Sequence, residues 1–297
     1  MRINNNIPAL NTHRLLNINT EGLQKSLERL SSGKRINRAS DDAAGLAISE
    51  KMEAQIRGLR QASRNSLDGV SLIQTAEGAL NEVHEMLQRM KELSVQGANG
   101  TYKEDDLKTM ADEIKQLTEQ IDKIGNETEF NGIPLLKGEN PKDSSGAEIN
   151  LRLQIGSKKG QILEIDMSEI NIVVGEDGLD IAKANSIISG SSGSFTVKDP
   201  LTNNDFDAAI STYETAINRV SSMRSKLGAI QNRLEHTIKN VDNTAENLTA
   251  SKSRIADLDM AQEMSEFTKL NILQQAGTSM LSQANQLPQM VLQLLQR

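Results

Sequence analysis

The chain contains no cysteine and no tryptophan. Lack of cysteine excludes disulfides, thiolate metal centres and cysteine nucleophiles, and leaves the compartment open. Four Phe and two Tyr are the only rings among 297 residues. That is too few for a large aromatic-rich core or a base-stacking surface. Long apolar runs are missing too: no stretch of 18 apolar residues exists, so neither a transmembrane helix nor membrane insertion is expected. The first twenty residues have no apolar signal-peptide centre, so no cleaved leader is expected. The excess of acid, 40 Asp and Glu against 33 Lys and Arg, argues against a dedicated nucleic-acid binder. One segment runs the other way. From Lys34 to Arg64 there are seven basic residues against four acidic, which without aromatics reads as a solvated or partner-facing helix. A length of 297 residues is compatible with about two domains.

Catalytic signatures are absent as well. There is no GxSxG, no P-loop and no GxGxxG. His13, His84 and His236 each lie in a helical stretch with no second His at ligand spacing. The pairs Asp41-Asp42 and Asp105-Asp106 open helices, where carboxylates meet the positive end of the dipole. The stretch Val174–Asp180 lacks the ligand pattern of a calcium loop and reads as a turn. No cofactor is expected, and the chain is not expected to be an enzyme.

What is present is helix. Ile73, Ala76, Leu80, Val83, Leu87 and Met90 fall at steps of three and four, as do Leu107, Met110, Ile114, Leu117, Ile121 and Ile124. These are seams of long helices packed side by side. No proline occurs between Asp42 and Asn99, and about 55 helical residues span about 80 Å at 1.5 Å each. Ser31-Ser32-Gly33-Lys34 and Gly97–Tyr102 are the breaks, with Ser40-Asp41-Asp42 supplying capping groups. Between about 129 and 200 the pattern changes. Ile149, Leu151, Leu153 and Ile155, then Leu163, Ile165 and Met167, alternate with polar residues around Gly156–Gly160, a hairpin signature. Ser189–Ser194 holds only Ser and Gly and reads as a surface loop. From Asp205 helix returns. Phe206, Ile210, Tyr213, Ile217 and Val220 begin a seam that Leu227, Ile230, Leu234 and Val241 continue with a phase shift. The expected fold is therefore mainly α: a long antiparallel helical rod or coiled-coil bundle with a small β-hairpin region in mid-chain. Gly45, Gly58, Gly69, Gly78 and Gly228 interrupt its helices at up to ~1 kcal/mol each, which points to close helix approach. Many methionines, Met52, Met86, Met90, Met110, Met260, Met264, Met280 and Met290 among them, suit adaptable packing.

The two ends are poor in charge. From Leu270 to Gln296 there is none, and from Ile3 to Thr20 only Arg14. A helix facing water carries Lys and Glu on its outer side. Ile3, Ile7 and Leu10 at one end, and Leu273, Met280, Ala284, Leu287, Val291 and Leu294 with Gly277 at the other, form apolar stripes beside neutral polar ones. Burial between copies of the same chain fits best, because a heterologous contact that does not close builds a filament. On this reading the ends are poorly ordered alone and become helical in the polymer.

Several motifs resemble bacterial flagellin. Leu30–Met52 (LSSGKRINRASDDAAGLAISEKM) resembles its N-terminal signature and Asn65–Leu80 (NSLDGVSLIQTAEGAL) continues it. Phe130-Asn131-Gly132 with Leu135-Leu136 is similar to the family's first β-turn region. Lys226–Ile238 and Asn247–Phe267 resemble the C-terminal half, and the likeness covers about 1–137 and 205–297. It implies an inner-tube helix and linker over 1–40, rod helices and a β-turn over 41–137, a short variable region over 138–204, a rod helix over 205–250 and a second inner-tube helix over 251–297. The implied role is an extracellular flagellar filament subunit that assembles with itself for swimming. The implied partners are an export chaperone, the type III export apparatus, the filament cap and the hook–filament junction proteins. A junction protein of the same superfamily is the alternative. The flagellin-sensing Toll-like receptor of animals engages a rod motif resembling Leu-Gln-Arg-x-Arg-Glu-Leu, read here as Leu87, Gln88, Arg89, Met90, Lys91, Glu92 and Leu93, with Glu113 on the antiparallel neighbour. Lys91 replaces an Arg and loses its planar fork.

Overall fold

A computed structural model describes residues 6–138, 150–174, 178, 179, 181, 187–191 and 194–295. In chain order the elements are helices α1 (Ile7–Ser32), α2 (Ala43–Gly97) and α3 (Glu104–Glu127) and strands β1 (Glu129–Phe130), β2 (Ile133–Pro134), β3 (Leu151–Gln154), β4 (Ile162–Ile165), β5 (Ile188–Ser191) and β6 (Ser194–Val197). Helices α4 (Asn203–Ala256) and α5 (Met260–Leu295) complete it. The expected mainly helical fold with a small antiparallel β region is what the chain adopts. Two compact units divide it: Met1–Ile56 with Ala245–Arg297, and Arg57–Thr244. The division falls inside α2 and α4.

The breaks lie where the sequence places them. Gly33 ends α1 at φ 68°, and its N–H donates to Arg29 O. The Asp42 side chain accepts from Gly45 N at 2.8 Å at the start of α2. At the start of α4, Asp205 accepts from Thr202 N at 2.9 Å and from Lys198 Nζ at 2.7 Å. Burial pushes this carboxyl up, but the bonds from Lys198 and Thr202 outweigh it and leave it below its ordinary value.

The second unit holds a continuous core in spite of its few rings. It is built from Leu, Ile, Val and Met, with Phe206 and Tyr213 fully enclosed. Buried positions on α4 include Phe206, Tyr213, Val220, Leu227, Leu234 and Val241, one every seven residues, with Ala209, Ala216 and Met223 three positions after the first three of them. The phase shift read from the sequence is therefore corrected. Ile210 and Ile217 lie beside the seam, and one heptad register runs unbroken beneath them. The hairpin signature forms as β3 paired antiparallel with β4, Leu151 opposite Ile165 and Leu153 opposite Leu163. Asn131 (φ 52°) and Gly132 (φ 77°) join β1 to β2 in the two-residue left-handed turn that strand twist favours.

A second correction concerns Ser189–Ser194. Its described residues are not loop: β5 pairs with β6, Gly190 opposite Phe195 and Ser191 opposite Ser194. Ile187, Ile188 and Phe195 anchor the pair in the core, so flanking residues decide the conformation of the Ser and Gly between them. Val174 and Leu179 form an isolated bridge, while the middle of the VGEDGLD turn lies outside the described residues. The helical glycines also differ from expectation. A methyl on Gly69 would stand 2.5 Å from Leu153 Cδ1, and one on Gly58 would stand 2.8 Å from Ser157 Cβ. The closest neighbour of both is thus the β3–β4 hairpin, and at Gly69 a second helix comes close as well, with Leu234 Cδ1 of α4 at 3.3 Å. A methyl on Gly45 would stand 2.8 Å from Ile36 Cδ1, while Gly78 and Gly228 face open space.

Candidate interaction surfaces

In the first unit α1 and α5 pack on one another along their length. The sequence-stripe reading treats each helix end as needing other copies to become ordered. Within one chain both are helical already, because each covers a face of the other. Of the predicted α5 stripe, Gly277 and Ala284 lie on the covered face, while Leu273 and Met280 lie outside it. On α5 the sheltered positions are Glu263, Phe267, Leu270, Gln274, Gly277, Leu281 and Ala284, again at steps of four and three. On α1 they include Leu16, Gly22 and Ser26. Gly277 lets Leu16 come close, and Gly22 does the same for Leu270.

Large aliphatic groups therefore point outward. Leu10 is 66% exposed, Ile7 58%, Ile272 61% and Met280 58%; Leu15, Ile18, Leu27, Met260, Met264 and Leu273 are exposed as well. Among the predicted assembly residues, Ile7, Leu10, Leu273 and Met280 form this outer surface. Ala284 is a correction: it is buried against α1, since a small side chain at a heptad position belongs to the inner seam. Ile3 lies outside the described residues. Leu287, Val291 and Leu294 lie on the α5 backbone, with their side chains outside the described set.

The sequence reading missed one junction. Pro288 sits inside α5 and has no N–H to give the carbonyl of Ala284. Asn6 fills the gap: its Nδ2 donates to Ala284 O at 2.8 Å, while its Oδ1 accepts from Ala9 N at 3.2 Å and caps α1. A proline within an uncharged helical run was the available signal. Towards the other end of α1, Lys25 pairs with Asp41 at 2.7 Å. The Lys25 hydrogen bond, helped by the backbone of Arg38, lowers the Asp41 carboxyl from 3.8 to about 2.

The receptor-like motif lies on α2 in the second unit. Arg89 Nε donates to Glu113 Oε1 on α3 at 3.0 Å, and Glu92 lies 3.6 Å from the same guanidinium. This hydrogen bond to Glu113, with the attraction of its charge, raises the Arg89 pKa further above its already high ordinary value. Lys91 Nζ reaches Glu214 of α4 at 2.7 Å, and Gln88 contacts the His84 ring at 2.9 Å. Gln88, Arg89, Lys91, Glu92 and Glu113 thus form one polar face. Leu87 and Leu93 do not belong to it. They are 0% and 2% exposed, at inward heptad positions, so neither offers a contact surface. Among the described residues no cluster of three His, Asp or Glu could hold a metal, and no helix is long and apolar enough to cross a membrane.

A helix pair made from the two chain ends, with its aliphatic side chains turned outward, on a chain of long heptad helices, defines a helical protein with an unfilled apolar surface at its termini. Residues 3–141 match the model for the bacterial flagellin N-terminal helical region, and 210–295 match that for the C-terminal helical region. The chain belongs to the bacterial flagellin family. Similar relatives include flagellin of Bacillus subtilis, 54% identical over 99% of this chain and 100% of that protein. Flagellin of Halalkalibacterium halodurans is 51% identical at the same coverage. The flagellar filament 31.3 kDa core protein of Treponema maltophilum is 40% identical over the whole of both chains. A solved structure described as a flagellar hook-associated protein from Vibrio parahaemolyticus shares the fold alone. Its TM-score is 0.58 at 17% identity, covering 73% of this chain and 100% of that one.

Proposed function

We propose that this chain is the subunit of an extracellular flagellar filament, non-enzymatic, and that its paired terminal helices are the part covered when copies assemble. The observation that carries this is the outward set of Ile7, Leu10, Ile272 and Met280 on helices whose ends lack charge. Burying each such side chain stabilises by about 1.5–3 kcal/mol, so several together favour assembly strongly. A filament core protein among the relatives supports the same reading. Removing 270–297 tests it. The truncated chain keeps the helicity of its second unit by circular dichroism and forms no filaments by electron microscopy under conditions where the full chain does; filaments from it would refute the assignment.

The export chaperone, export apparatus, cap and junction proteins are the partners this role requires. We also propose that the animal flagellin-sensing receptor binds the unassembled chain through Arg89, Glu113, Gln88, Lys91 and Glu92. The support is the exposed polar face that Arg89 and Glu113 build together.

A further inference from the structure

The second unit carries opposite charge at its two ends. Near one end, the β3–β4 loop lies on α2 around Gly58, Gln61 and Asn65, whose Nδ2 donates to Gln154 O at 3.0 Å. Arg57, Arg60 and Arg64 rise from this stretch of α2, and Lys158 and Lys159 from the loop. All five are exposed. Among the described residues no carboxylate pairs with Arg60, Arg64, Lys158 or Lys159; along α2 the flanking acids are Glu53, one turn before Arg57 and paired with Lys252, and Asp68, one turn after Arg64. A guanidinium bond from Arg64 to Gln61 Oε1 holds that cation beside the cleft. In a chain of net charge −7 this is an unbalanced basic patch.

The other end is acidic. Helix α3 holds eight Asp and Glu against three Lys. Glu113 is engaged by Arg89 and Glu119 by Lys115. Glu104, Asp105 and Asp112 are exposed and form no ion pair among the described residues. The Arg89–Glu113 bond fixes this half of α3 beside the C-terminal part of α2. From Gln61 to Leu93 is 32 helical residues, about 48 Å.

Resting on the filament reading above, we propose that the basic patch of one copy docks on the Glu104, Asp105 and Asp112 face of a second copy, head to tail. Like charges at the two ends would favour side-by-side or closed pairing. Opposite charges at opposite ends of one body make a heterologous contact that repeats without closing. Such charges set register and encounter rate more than total affinity, which suits a second role beside apolar burial of the terminal helices. An acidic polysaccharide is the competing occupant of the basic patch.

The test uses the full chain with either end reversed: R60E/R64E/K158E/K159E, or E104K/D105K/D112K. Each variant alone raises the critical concentration for filaments about tenfold or more, by sedimentation and electron microscopy. An equimolar mixture restores assembly as an alternating polymer, and so does a chain carrying both sets. Wild-type assembly by either variant alone overturns the proposal, as does failure of both mixture and combined chain while circular dichroism is unchanged. If a reversed chain loses helicity, the neutral sets R60Q/R64Q/K158Q/K159Q and E104Q/D105N/D112N replace it. They raise the critical concentration about threefold or more, and no rise overturns the proposal. Retention of the wild type on heparin beads, lost in the basic-end variant while its filaments form normally, assigns the patch to a polysaccharide and also overturns it. In every arm the wild type still forms filaments; if it does not, the filament reading itself fails.

Discussion

Asn6 serves two helices with one side chain: its oxygen caps α1, and its amide nitrogen satisfies the carbonyl that Pro288 leaves bare in α5. Asn6→Ala removes both bonds. The cap alone is worth about 0.5–2 kcal/mol. Hydrogen exchange should quicken in residues 7–10 and around 284–289, with little change in the second unit. A contrast at the receptor-like motif separates surface from core. Leu93→Ala should cost about 2–5 kcal/mol in thermal or denaturant unfolding, since the side chain is enclosed. Arg89→Ala should leave unfolding little changed, its ion pairs being exposed. It should nonetheless weaken binding to the animal receptor; unchanged binding would remove Arg89 from the assignment.

Among elements, the connection from α1 to α2 depends on Asp41. Its carboxyl titrates at about 2 instead of 3.8, so the folded state binds the ionised form better. That contribution is full above about pH 4 and disappears as the pH falls through 2. Asp41→Asn should lower stability at neutral pH and flatten the loss of helicity between pH 4 and pH 2, followed by circular dichroism. In the second unit, Gly69→Ala should destabilise by about 1–3 kcal/mol, because the added methyl meets Leu153 and the β3–β4 hairpin must shift. The helix breaks at Gly33 and Gly97 and the β3–β4 pair were legible because glycine, capping carboxylates and alternation act locally. The β5–β6 pair was not: its Ser and Gly carry no alternation, and Ile187, Ile188 and Phe195 fix it through contacts with distant elements. The inward faces of α1 and α5 were misread for a related cause. Apolar residues lie on both sides of these helices: Leu16, Phe267, Leu270 and Leu281 join Gly22, Ser26, Gly277 and Ala284 in the inner seam, while Ile7, Leu10, Ile272 and Met280 stay outside.

At the scale of the molecule, apolar surface and charge are segregated. Most outward aliphatics lie on the terminal helices, with Ile48, Leu67 and Val95 exposed on α2, and the second unit has a basic and an acidic end. The likeness to flagellins of Bacillus subtilis and Halalkalibacterium halodurans runs through 99% of the chain and so takes in both units. The bond from Asn6 to Ala284 joins residues 278 positions apart. The opening segment leaves the ribosome long before its partner exists, and its amide has nowhere native to go until the closing segment emerges. A contact between residues so far apart in the chain closes late in folding, so the start of α1 and the Ala284 turn of α5 become native together.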